Sequence, residues 1–137
     1  MTLKLQLVRD GEVLFEIPLS PANWPREQLQ NELRAFEEDF QRFSKIFDVL
    51  SHKTRFGMMK RLMEEEDSTM NFADFMRDLD LNPKIVWENA RKLREGGFLE
   101  KVSRGRYRCS DVGQRGFIMM SLALRYLMET LEEIENL

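Results

Sequence analysis

The sequence predicts a mainly α fold with short β elements (α+β), and three observations carry that expectation. A basic stretch, residues 82–116, lies between acidic flanks. A helix that opens at Asn82-Pro83 and stops at Gly96-Gly97 follows a shorter helical segment. Apolar stripes at heptad spacing stand on either side of this centre.

A chain of 137 residues suits one domain, or a small domain with dimerising appendages. With 42% hydrophobic and 33% charged residues it has the means to build a core without staples. One cysteine, Cys109, rules out an internal disulfide framework and every multi-cysteine zinc pattern. The amino terminus lacks the organisation of a signal peptide, and the apolar run Phe117 to Leu124 is far below the ~20 residues that span a bilayer. The expected setting is cytoplasmic, with no membrane partner. Net charge is −3, but residues 1–81 hold 11 Lys+Arg against 16 Asp+Glu, residues 82–116 hold 9 against 4, and residues 117–137 hold 1 against 4. A basic island on an acidic body is the footprint of a compact nucleic-acid binder, the alternative being a solvated charged face.

Residues 1–24 alternate apolar and polar side chains around Arg9-Asp10-Gly11 and read as a hairpin and turn. A two-residue Asp10-Gly11 loop would place Leu5 opposite Glu16 and mix the faces. A three-residue loop with Gly11 left-handed pairs Leu7 with Val13, Leu5 with Phe15 and Leu3 with Ile17, leaving one face wholly apolar. An isolated hairpin is marginal in water, so that face needs a helix or a second subunit over it. Asn23 or Trp24 as cap and Pro25 in the first turn then start a helix over residues 25–50. Its stripe Leu29, Leu33, Phe36, Phe40, Phe43, Phe47 and Leu50 keeps 4,3 spacing, as does Phe117, Met120, Leu124, Leu127, Leu131 and Ile134 in a helix over residues 117–137. Leu29, Leu33, Phe36, Phe40, Leu124, Leu127, Leu131 and Ile134 are the candidate homodimer contacts; each stripe is otherwise a core face within one subunit.

Ser51-His52-Lys53 interrupts, and a helix restarts near Thr54 and runs to Glu65 with Phe56, Met59, Leu62 and Met63 inward. Asn71 caps a short helix, Phe72 to Leu79; Leu81-Asn82-Pro83 turns into the next, which ends at Glu95. Two strands follow, Phe98–Val102 and Tyr107–Ser110. Short helix, tight turn and polar-opening second helix make a helix-turn-helix, and the basic hairpin after it makes the motif winged, over residues 51–116.

At this point a resemblance becomes specific. Leu50-Ser51-His52-Lys53-Thr54-Arg55 resembles the "L-S-H-P-T-R" opening of ArsR-type and related archaeal winged-helix regulators, with Lys53 at the usual proline. Leu81 to Glu100 resembles, without a gap, the family's "L-S-P-S-T-V-S-R-H-L-K-K-L-R-E-A-G-L-V-E", and Asp111-Val112-Gly113 its "T-E-L-G" step into the last helix. The likeness covers residues 45–116. It implies a regulator of transcription that binds double-stranded DNA. No Gly-rich phosphate loop, HExxH or nucleophile triad appears, so neither catalysis nor a cofactor is expected.

Where the pattern has serine and arginine this chain has Trp87 and Glu88, and Asn89 takes the histidine position. Glu88 repels phosphate but can accept from a cytosine amino group; Trp87 can pack on a thymine methyl; Asn89 can read adenine. Lys84, Arg91 and Lys92 keep the helix basic. The alternative is that Trp87 and Glu88 dock on a protein of the transcription machinery. Arg104, Arg106 and Arg108, with Gly105 allowing close approach, suit phosphates or a minor groove, or else form a solvated tip. Family members that sense metals use paired cysteines or Asp/His clusters, and neither occurs here, so no metal site is expected. Cys109 reads as a buried small hydrophobe, His52 as a capping or packing residue, and the nine methionines as core filler or the wall of an adaptable ligand cavity.

Overall fold

The computed structural model describes residues 2–136. The chain divides into two compact units, one ending at Phe43 and one beginning at Ser44, a boundary earlier than the Leu50 expected from sequence. In the first unit, strands β1 (Lys4–Arg9) and β2 (Glu12–Pro18) form an antiparallel hairpin. The expected three-residue loop is wrong. Asp10 and Gly11 form a two-residue turn with φ of 50° and 82°, and a bulge between Leu7 and Val8 shifts the register. Pairing is Arg9 with Glu12 and Val8 with Val13 at the turn, then Leu7 with Phe15 and Leu5 with Ile17. The bulge absorbs one residue of β2, and so a tight turn and an unmixed apolar face coexist.

A short 3₁₀ turn, Pro21–Asn23, follows, and the Trp24 indole Nε1–H donates to the Pro18 carbonyl at 2.8 Å. Helix α1 is Arg26–Glu38, with Pro25 just before its first residue. The single helix expected over residues 25–50 is two: α1 ends at Asp39 (ψ 3°), and α2 is Phe40–Ser51. The reason is local. Glu37-Glu38-Asp39 is a run of acids at the negative end of the α1 dipole, and aspartate favours helix starts over interiors. The Phe36 ring stacks on Phe43 at 5.3 Å and meets Phe40 edge-on at 6.3 Å.

The second unit holds the core. Helix α3 is Lys53–Glu64, β3 is Thr69–Asn71, α4 is Phe72–Leu79, α5 is Pro83–Glu95, β4 is Leu99–Ser103 and β5 is Arg106–Cys109. Met58, Met59 and Leu62 of α3, Phe75 of α4 and Val86 and Leu93 of α5 are fully buried together. Phe56, expected inward, is 41% exposed, its ring 5.2 Å from that of Phe117; Arg55 and Met58 take the buried positions instead. Strand β5 lies between β3 and β4, both antiparallel to it, and β3 had no signal long enough to be read from sequence. Tyr107 is buried on the sheet's inner face, as its alternation with the arginines predicts.

The C-terminal helix starts at Asp111, six residues before the expected 117. Helix α6 (Asp111–Ile118) runs through a π-helical turn, Met119–Ala123, into α7 (Leu124–Glu135). The wider turn rotates the face that follows, so the Phe117-to-Ile134 spacing does not make one straight stripe. Ser110 sets the start of α6: its hydroxyl donates to the Gly97 carbonyl at 2.6 Å and accepts from the Gly113 N–H at 2.8 Å.

Cys109 is 2% exposed. Burial, with Glu100 adding its charge, pushes its thiol up to about 11 from an ordinary 9.0. The folded state therefore holds this proton more tightly than the unfolded one. The resulting stabilisation is present below the ordinary thiol value and is lost as pH rises toward the folded one. Iodoacetamide at pH 8 is expected to alkylate the native protein much more slowly than the urea-unfolded chain; equal rates would show the thiol to be open.

Candidate nucleic-acid interface

Helix α5 is placed by its ends. The Asn82 Oδ1 accepts from the Ile85 N–H at 2.9 Å, Pro83 fills the first helical position, and Gly97 at φ 84° ends the run. Just before it, Asp80 adopts the left-handed conformation at φ 51°, which closes the turn from α4. At the start of α4, the Asp74 carboxylate accepts from the Asn71 N–H at 3.0 Å. That bond, with Arg77 beside it, holds the Asp74 carboxyl below its usual range.

At about 100° per residue, Val86, Ala90 and Leu93 form one arc of α5, and Lys84, Glu88, Arg91 and Glu95 lie opposite, with Trp87 at one edge and Lys92 at the other. Burial follows this with one exception: the first three are at most 1% exposed, Lys84, Arg91 and Glu95 are exposed, Trp87 is 55% exposed, and Glu88 is half-buried. The Arg91 guanidinium lies over the Trp87 ring at 5.2 Å and 3.6 Å from Glu95. Lys92 borders a shallow depression with Lys45, Asp48 and Glu95, away from Trp87.

Asn89 departs from its expected role. Its Oδ1 accepts from the Arg55 Nη1–H at 3.0 Å and its Nδ2 donates to the Ile85 carbonyl at 2.8 Å. The amide is engaged inside the protein and does not present itself as an adenine reader. Arg55, whose importance the sequence did not reveal beyond its place in the "L-S-H-P-T-R" match, is 2% exposed. Its Nε donates to the Val49 carbonyl at 2.6 Å and Nη2 to the Asp48 carbonyl at 3.1 Å. His52 precedes α3 without capping it through its side chain, and its Nε2 stands 3.8 Å from Asp48.

The wing turns at Arg104-Gly105, with Gly105 at φ 71°. Its three arginines are not equivalent. Arg108 pairs with Glu100 directly across the strands at 3.0 Å. Arg106 donates to the Asn71 Oδ1 at 3.1 Å and lies 3.9 Å from Asp67. Arg104, at the tip, has no ion pair or side-chain hydrogen bond among the described residues. Among those residues there is also no group of three or more His, Cys, Asp or Glu arranged to hold a metal, and no helix long and apolar enough to cross a membrane.

A helix-turn-helix of α4 and α5 followed by a β4–β5 hairpin defines a winged-helix protein. No protein-family model matches the chain. No curated protein matches it either. Among solved structures it is similar to Sco5413, a MarR family transcriptional regulator from Streptomyces coelicolor, with a TM-score of 0.50 and 13% identity over 82% of this chain and 80% of that one. At that identity the likeness shows the winged-helix fold and does not reach the ArsR-type or archaeal subtype that the motifs resemble.

Proposed function

We propose that this chain binds double-stranded DNA through α5 and the β4–β5 wing and regulates transcription as a homodimer. The observation that carries the reading is the outer arc of α5. Lys84 and Arg91 lie side by side on the face opposite the core, flanked by Trp87 on one side and Glu88 on the other, on a helix of the size a major groove about 12 Å wide accepts. In this reading Lys84, Arg91 and the wing-tip Arg104 meet phosphates, Glu88 accepts from a cytosine amino group and Trp87 packs on a thymine methyl. Lys92 adds positive charge at the flank. Arg106 and Arg108, held by Asn71, Asp67 and Glu100, shape the wing more than they bind.

The dimer rests on the first unit and on the C-terminal helix. No residue from Thr2 to Thr54 is buried. Leu33 is 60%, Phe36 47%, Phe40 56% and Leu124 51% exposed, while Leu29, Leu127, Leu131 and Ile134 are half-buried. Apolar stripes of that length are covered in a stable protein, and a second copy supplies the same stripes in return.

The test is selection of bound fragments from a random duplex pool, followed by anisotropy titrations across salt. Binding is expected to weaken along a straight line of log affinity against log salt, by about 0.9 for each phosphate contact. Arg104→Ala is expected to weaken all duplexes equally and flatten that line by about one phosphate contact. Adding Arg106→Ala is expected to remove less than a second, because Arg106 is already engaged within the protein. A chain that recovers no duplex and shows no salt-dependent retention leaves the other reading, favoured by the exposed Trp87 under Arg91: docking on a protein of the transcription machinery, where Trp and Arg are common anchors.

A further inference from the structure

Arg55 is a buried guanidinium that meets no carboxylate among the described residues; its three hydrogen bonds go to the Asp48 and Val49 carbonyls and to the Asn89 amide oxygen. An uncompensated buried charge is costly, and an apolar side chain of similar volume packs there more cheaply. What offsets the cost is the end of α2. Asp48 and Val49 lie in its last turn, where free carbonyls carry the negative end of the helix dipole. A planar fork alone reaches both the α2 terminus and α5 at once.

Asn89 is the other half of the link. It sits on α5 between the buried arc of Val86, Ala90 and Leu93 and the outer arc of Lys84, Glu88 and Arg91. Its Nδ2 bond to the Ile85 carbonyl orients the amide so that Oδ1 faces Arg55. A bond at that flank adds a directional restraint on rotation of α5 about its own axis to the packing of the buried arc. The motion it prevents is the one that would carry Trp87, Glu88 and Arg91 off their outward setting.

We propose that Arg55 is a positioning residue. Through Asn89 it ties the rotation of α5 to the carboxyl end of α2, so that a displacement of α2 is felt at Trp87, Glu88 and Arg91. That those three residues read a duplex rests on the function proposed above; the mechanical link does not.

The test follows the full chain in a Trp24→Phe background, where Trp87 is the remaining indole. Asn89→Ala removes the bond while leaving Arg55 its two carbonyls. Alanine is the better helix former, so without the link the variant keeps or slows amide exchange along α5. With it, α5 amides are expected to exchange faster and the Trp87 indole N–H resonance to move. Discrimination between a selected and a random duplex is expected to fall about tenfold, the scale of one base contact, with the salt slope of non-specific binding unchanged. Arg55→Met, similar in length but unable to bridge, is expected to shift the same resonance, and adding Asn89→Ala to it to shift it no further. An unmoved Trp87 resonance with unchanged or slower α5 exchange in Asn89→Ala overturns the proposal, whatever the duplex data. A moved resonance with faster exchange, in a protein whose parent binds no duplex, upholds the link and overturns the DNA reading alone.

Discussion

Gly113→Ala is expected to unfold much of the second unit, at a cost of about 3 kcal/mol or more and a fall in melting temperature of roughly 12 °C or more. A Cβ built on Gly113 lies 2.3 Å from the Phe98 carbonyl oxygen and 2.9 Å from the Phe98 carbonyl carbon. These are backbone atoms and cannot rotate away. Phe98 also accepts from the Ser110 N–H at 3.0 Å, and Ser110 caps α6 at Gly113, so moving α6 breaks the bonds that start it. Overpacking against a rigid neighbour is among the larger single-residue penalties. Gly57→Ala provides the contrast. Its Cβ meets Leu79 Cδ2 at 3.9 Å, an ordinary contact in a helix interior where alanine outranks glycine by about 1 kcal/mol. Thermal melts by circular dichroism should separate the two, Gly57→Ala melting at or above the parent. If Gly113→Ala melts with the parent, α6 does not approach Phe98 this closely.

Phe36→Asp with Phe40→Asp is expected to convert the proposed homodimer to a monomer at micromolar concentration, and to lower affinity for a duplex carrying two half-sites by about 100-fold, the loss that follows when linked sites become independent. Phe36 and Phe40 lie outside the core cluster of the second unit, so the winged helix should keep its circular dichroism and its salt-dependent non-specific binding. Sedimentation equilibrium reads the first outcome and anisotropy the second. A parent chain that sediments as a monomer removes the homodimer from the proposal and leaves the winged helix as a single-site binder.

Helix α5 was legible to the residue, because Asn82, Pro83 and Gly96-Gly97 act on their nearest neighbours and need no tertiary partner. Asn71 and the helix it precedes were legible for the same reason. The break at Asp39 was not: no glycine or proline marks it, and the apolar spacing continues across it. The π-helical turn at Met119–Ala123 left no trace either, since apolar residues occupy nearly every position around it. In the hairpin, alternation required an unmixed face but did not tell a longer loop from a tight turn with a bulge.

The candidate site divides along the same line. That Lys84, Glu88 and Arg91 lie opposite the core, with Trp87 at the edge of that face, follows from 3.6-residue periodicity and needed only the sequence. Which of the candidate side chains are already engaged was decided by partners on other elements: Glu100 across the wing for Arg108, Asn71 and Asp67 for Arg106, and Arg55, thirty-four positions away, for Asn89. Gly113 appears in the sequence as a motif match, and only its 2.3 Å approach to Phe98 explains it. Caps, turns and helix faces are written within a few residues because backbone hydrogen bonding is local. Register, close approach and the pairing of side chains arise when distant segments meet, and the tertiary structure alone decided them.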